Sequence, residues 1–129
     1  MRQGEGKILI VDDEPALLKM MSVYLVRLGY SVTTAATTHQ AWNEVEAAPS
    51  DFAVAVIDAT MDGMSMEDLA TRILGASPAA RVLAASGYPV DMTSLKAVAP
   101  GRVSFLHKPF TPEMLASAVR RMLAAQEEV

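Results

Sequence analysis

Residues 52–57, Phe-Ala-Val-Ala-Val-Ile, are apolar at every position and stop abruptly at Asp58. A strand that alternates apolar and polar residues can leave one face in water, whereas a strand without alternation has to be covered on both. The run Val82-Leu83-Ala84-Ala85, which ends on Ser86, has the same character. Two strands of this kind call for helices above and below a parallel sheet, which narrows the chain to the α/β class.

The remaining sequence supplies those helices. Strands are predicted at 7–12, 31–36, 52–58, 81–86 and 103–108, with stretches of helical spacing between them. Leu17, Leu18, Met21, Tyr24, Leu25 and Leu28 form one stripe, with Pro15 suited to the first turn and Gly29 to the stop. Thr37 and Gln40 have capping-box spacing ahead of Ala41, Trp42, Val45 and Ala48. Met66, Leu69, Ala70, Ile73 and Leu74 make a third stripe that Gly75 is expected to close. Residues 91–99 are patterned weakly and read as a short fourth helix, bracketed by Gly87, Pro89, Pro100 and Gly101. Thr111-Pro112 opens the last helix, with Leu115, Ala118, Val119, Met122 and Leu123 facing inward. The threonine-rich segment 31–36 is polar enough for a sheet edge. The expectation is a doubly wound five-stranded parallel sheet, order 2-1-3-4-5, with helices on both faces. It forms one domain over 1–129, with its core at about 7–126.

Composition removes several classes of function. There is no cysteine, so disulfides, thiol nucleophiles and cysteine-based metal sites are excluded. The net charge of -4 gives no global attraction to nucleic acid or to an anionic membrane. The opening residues lack the apolar core of a signal peptide, and no stretch reaches the roughly 20 apolar residues of a membrane span. The expected setting is cytoplasmic, with no direct contact to nucleic acid or membrane.

In an open parallel sheet, ligands bind outside the carboxyl ends of the strands. Four apolar runs end there on reactive groups: Ile8–Val11 on Asp12-Asp13, 52–57 on Asp58, 82–85 on Ser86, and 103–107 on Lys108-Pro109. Three gathered carboxylates repel one another, and a divalent cation such as magnesium, which favours oxygen ligands, removes the conflict. An ionised aspartate is a competent nucleophile for making an aspartyl phosphate. Lys108 and Ser86 are the types that pair with phosphoryl oxygens. Each residue alone has an ordinary reading. Asp12 and Asp13 can complement a helix dipole, Asp58 and Ser86 can serve turns, and Lys108 can lie in solvent. All of them falling together at the ends of apolar runs favours phosphoryl chemistry. His39 and His107 lack partners for a metal site, and Arg120-Arg121 suit a solvated helix face. There is no glycine-rich phosphate loop and no Ser-His-Asp ordering.

The segments Ile-Leu-Ile-Val-Asp-Asp-Glu-Pro (8–15), Val-Ile-Asp (56–58), Ala-Ser-Gly-Tyr (85–88) and Phe-Leu-His-Lys-Pro-Phe (105–110) resemble the receiver domain of two-component response regulators. The resemblance spans nearly the whole chain. It implies a flavodoxin-like fold in which Asp58 accepts a phosphoryl group from a sensor histidine kinase or phosphotransfer protein. By the same resemblance Mg2+ (or Mn2+) is held by Asp13, by Asp12 through water, by Asp58 and by the Thr60 backbone carbonyl. Ser86 and Lys108 contact the phosphoryl group, Ser86 and Phe105 form the switch, and the Lys108–Pro109 bond is cis. A homodimer or downstream protein would dock on the face of helix 4, strand 5 and helix 5. Such a domain is not a conventional enzyme, but assists its own phosphorylation and dephosphorylation.

Three positions depart from the family pattern. Asp62 stands where proline is common and Met66 where glycine is common, which implies another path for the loop after Asp58. Arg102 stands where a small residue is usual. The family tunes phosphoryl lifetime at the positions of Thr60 and Tyr88. The alternatives are a phosphorylation-independent docking module, or a Mg2+-dependent phosphatase with an aspartyl nucleophile. The phosphatase is disfavoured by Thr60, where such enzymes carry a second Asp. No helix-turn-helix follows the last helix, so a stand-alone regulator or a piece of a larger protein is expected. The Ala-Ser-Gly-Tyr segment and the short fourth helix lean toward the hybrid-kinase type.

Overall fold

Strands and helices alternate along the chain as β1 (Lys7–Val11), α1 (Pro15–Arg27), β2 (Ser31–Ala35), α2 (Thr38–Ala47), β3 (Phe52–Asp58), α3 (Met66–Ala76), β4 (Arg81–Ser86), α4 (Thr93–Val98), β5 (Val103–His107) and α5 (Pro112–Glu127). The structure, a computed structural model, describes residues 6–127, with side chains as far as 124. The outer ends of the span 1–129 lie outside the described residues. All five strands are parallel and ordered β2-β1-β3-β4-β5. The two apolar runs behave as their composition requires, since every residue of β3 and β4 is buried.

Strand residues alternate between two cores. Leu9, Val11, Ala55, Ile57, Val82 and Ala84 pack with Val45, Leu69, Ile73 and Leu95, from α2, α3 and α4. Ile8, Ile10, Val54, Val56 and Leu83 pack with Met21, Leu25, Leu115 and Val119, from α1 and α5. Burying each Leu, Ile or Val side chain contributes roughly 1.5–3 kcal/mol, so the sheet is held from both sides.

Local signals place most boundaries. Leu28 caps α1, Gly29 takes φ 99, Tyr30 N–H donates to Leu25 O at 3.1 Å and Gly29 N–H to Val26 O at 3.0 Å, a Schellman ending. Thr37 Oγ1 accepts from Gln40 N–H at 3.0 Å, while Gln40 Oε1 accepts from Ala36 N–H, one residue earlier than the capping-box expectation. The expected end of α3 at Gly75 is corrected, because the helix continues through Ala76. Its stop comes from Ser77, whose position before Pro78 disfavours helical backbone. Met66, in place of the usual glycine, is a buried core residue in the first turn of α3, behind the N-cap Ser65. The strands expected to reach Asp12, Ala36 and Lys108 end one residue earlier, although Asp12 N–H and Lys108 N–H still donate to Ala35 O and Ser86 O.

Candidate functional site

Parallel register brings the reactive residues together. Val11, Ile57, Ala84 and Phe105 form one rung across β1, β3, β4 and β5. Asp12, Asp58, Ala85 and Leu106 follow on the next level along the chain, and Asp13, Ser86, His107 and Lys108 lie just beyond. The sequence-predicted site residues therefore share one carboxyl edge of the sheet.

Asp58 is only 5% exposed, and its two oxygens have different surroundings. Oδ1 accepts from the Thr60 backbone N–H at 3.0 Å and from the Thr60 hydroxyl at 2.9 Å. Oδ2 faces the Lys108 ammonium at 3.5 Å. Lys108 Nζ also donates to Asp12 Oδ2 at 2.9 Å, and Asp12 Oδ1 accepts from the Glu14 amide at 2.9 Å. Asp12 is thus held at both oxygens and is 2% exposed, whereas Asp13 is exposed. Burial works against the Lys108 ammonium, but its hydrogen bond to Asp12 and the charges of Asp12 and Asp58 outweigh it and raise its pKa above 10.5.

Carboxylate oxygens of Asp12, Asp13 and Asp58 lie within 4.8 Å of one another. With an effective dielectric near 20, two such charges repel by on the order of 3 kcal/mol, and Lys108 offsets only part of the total. Three hard oxygen donors with an unneutralised excess of negative charge fit a magnesium-type cation. Asp62 is exposed and stands apart from this acidic group.

Ser86 is fully buried, its Oγ accepting from Tyr88 N–H at 3.0 Å. Phe105 is half-buried and meets His107 edge to face, with centroids 4.8 Å apart at 84°. Phe105 and His107 line a pocket of about 480 Å³ with Val90, Met92 and Lys96. The Lys108–Pro109 bond is cis, as the resemblance implied. The sequence assigns Thr60 a backbone carbonyl for the metal and a position that tunes phosphoryl lifetime, but no hydrogen bond to Asp58. Its two donations to Asp58 went unread, although a hydroxyl residue two positions after an Asp is the spacing of such a local turn. His39 and His107 are both exposed, and neither joins the acidic group.

The response regulator receiver domain family matches residues 8–120 of the chain. The chain is 34% identical to the two-component response regulator ORR27 of Oryza sativa subsp. japonica over 113 residues, covering 87% of the chain and 18% of that relative. It therefore spans less than a fifth of that relative's length. A response regulator receiver domain protein from Clostridium thermocellum superposes with a TM-score of 0.82 at 24% identity, covering 95% of this chain and 97% of the other. The receiver domain from the hybrid histidine kinase CckA superposes at 0.78 with 29% identity, covering 92% and 98%. Among the described residues, no helix is long and apolar enough to cross a membrane.

Proposed function

Because the chain belongs to the response regulator receiver domain family, we propose that it is a phosphorylation-controlled switch whose acceptor is Asp58. The observation that carries this reading is the Asp58 carboxylate, buried at the carboxyl edge with the Lys108 ammonium 3.5 Å from Oδ2. A phosphohistidine of a sensor histidine kinase or phosphotransfer protein supplies the group. Likeness to a hybrid-kinase receiver supports a place in a phosphorelay.

Thr60 donates twice to Oδ1 and so fixes the carboxylate's orientation, leaving Oδ2 toward the incoming phosphorus. Oδ2 forms the new bond to phosphorus, the bond from phosphorus to the donor nitrogen breaks, and its electron pair stays on the kinase histidine. Lys108 gives a phosphoryl oxygen a fixed positive partner, and the Ser86 hydroxyl donates to another. Asp12, Asp13, Asp58 and the Thr60 carbonyl would hold Mg2+ (or Mn2+), which when bound neutralises charge on the phosphoryl group. The chain assists its own phosphorylation and dephosphorylation and turns over no external substrate. Ser86 and Phe105 relay the change to the α4-β5-α5 face, which meets a second copy or a downstream protein. The whole chain acts as one receiver domain in the cytoplasm.

Intact mass after incubation with acetyl phosphate and magnesium, beside a chelated control, tests the reading. One added phosphoryl group that requires magnesium and is absent in Asp58→Asn is the expected result. Equal labelling of that variant would place the acceptor elsewhere. A folded, magnesium-binding chain that takes no label from acetyl phosphate or from candidate kinases would be a docking module instead.

A further inference from the structure

Opposite the reactive edge, two arginines meet without an acid. Arg81, the first residue of β4, is 7% exposed and its Nη1 donates to Gly101 O at 2.6 Å. Arg102, just before β5, donates from Nε to Ala80 O at 2.9 Å and from Nη2 to Leu74 O at 3.2 Å and Ser77 O at 2.8 Å. Every acceptor is a main-chain carbonyl, and among the described residues no carboxylate pairs with either guanidinium. Among the described residues, Arg81 Nε finds no partner. Desolvation and the charge of Arg81 both disfavour the charged form of Arg102. Two like charges held together at such cost are accounted for by the backbone they clamp.

That backbone is the lower end of α4. Arg81 grips Gly101 in the α4–β5 connection, and Arg102 ties the same connection to the last carbonyls of α3, which has no basic residue in its own last turn. Around them Ala99 N–H donates to Leu95 O, Arg102 N–H to Ala99 O and Val82 N–H to Arg102 O. At the amino-terminal end of α4, Met92 is buried in the core, but among the described residues no side chain clamps main-chain carbonyls there as the arginines do. Gly87, Tyr88 and Pro89 are exposed in succession, Met92 gives α4 no side-chain cap, and the side-chain link at its entry is Thr93 N–H donating to an exposed Asp91. Six residues are too few to hold a helix by themselves, so α4 is as rigid as its attachments.

We infer that the Arg81–Arg102 clasp is a fixed pivot for α4, so that α4 rearranges by swinging its amino-terminal end while residues 98–103 stay in place. For its phosphorylated arm the inference rests on the proposed acceptor role of Asp58. Neither arginine touches the site.

Hydrogen exchange followed by mass spectrometry on the full chain, with and without acetyl phosphate and magnesium, decides the matter. In unphosphorylated wild type, amides of 87–93 should exchange faster than those of 98–103. Phosphorylation should alter exchange over 87–96 and leave 98–103 unchanged. Arg102→Ala should speed exchange over 98–103 by on the order of tenfold, through loss of three donations. It should also let phosphorylation spread into that segment. Arg102→Lys keeps the charge without the fork and should fall between, which serves if the alanine variant fails to fold. The pivot is overturned if wild-type 98–103 responds to phosphorylation as strongly as 87–96, or if Arg102→Lys exchanges there like wild type. If the wild type takes no phosphoryl label from acetyl phosphate or from candidate kinases, the acceptor reading fails, and the unphosphorylated comparison still decides the clasp.

Discussion

Asp12, Asp13 and Asp58 have one ammonium among them, and Lys108 spends its short contact on Asp12. Asp13 is the exposed acid and adds repulsion without a close cation. Asp13→Ala should therefore raise the melting temperature in chelator, by a few degrees for about 1 kcal/mol, and abolish the extra stability that magnesium gives wild type. Thermal melts of both proteins with and without magnesium check this, and a variant that melts lower in chelator would contradict it. Lys108 also makes stability depend on pH. Its pKa is raised on folding, so its contribution is complete below 10.5 and disappears as pH rises through the higher folded-state value. Urea denaturation should show wild type losing stability above pH 10.5 and Lys108→Met lacking that component. These residues were legible in the sequence because each ends an apolar run, and a parallel sheet sends all such ends to one edge. The Thr60 hydroxyl was less legible, since donation to Asp58 is a matter of rotamer and not of pattern.

At the scale of elements, boundaries followed the sequence where the signal is local and failed where it is not. The Gly29 ending and the Thr37 cap lie within a few residues of what they terminate. Thr37→Ala should cost about 1 kcal/mol in a urea titration, because it removes the acceptor for Gln40 N–H. A cost below a few tenths would mean that water replaces the cap fully. The α3 terminus depends on Ser77 before a proline and on Arg102, 25 to 28 residues away in sequence. A glycine at 75 looks like a stop only when that distant guanidinium is invisible. Arg102 itself stood out in the sequence as a departure, yet nothing near it named the carbonyls it reaches. The central strands were the most legible elements, since full burial leaves no freedom in their composition.

At the scale of the whole molecule, the proposed switch is a two-state problem. Swinging a population from about 1:99 to 99:1 needs roughly 5.5 kcal/mol of differential stabilisation. One charge-assisted hydrogen bond from Ser86 to a phosphoryl group supplies about 1.5–3 kcal/mol. Against that gain, in the proposed switch Ser86 Oγ would turn away from the Tyr88 N–H that now donates to it, and Phe105 would leave its packing against His107 and the core beneath α4. The arithmetic falls short of a complete shift, so the phosphorylated chain alone should populate both states to a measurable degree. The Phe105 ring resonances then fall between two limits and move further toward the second when a partner for the α4-β5-α5 face is added. Ser86→Ala, phosphorylated to the same extent by mass, should leave them near the unphosphorylated limit. If phosphorylation alone drives the wild-type resonances to an end point that no partner extends, the missing roughly 2.5–4 kcal/mol resides in groups other than Ser86. The loop 59–65 after Asp58 would then be the place to look, because Thr60 there already grips the carboxylate proposed as the acceptor.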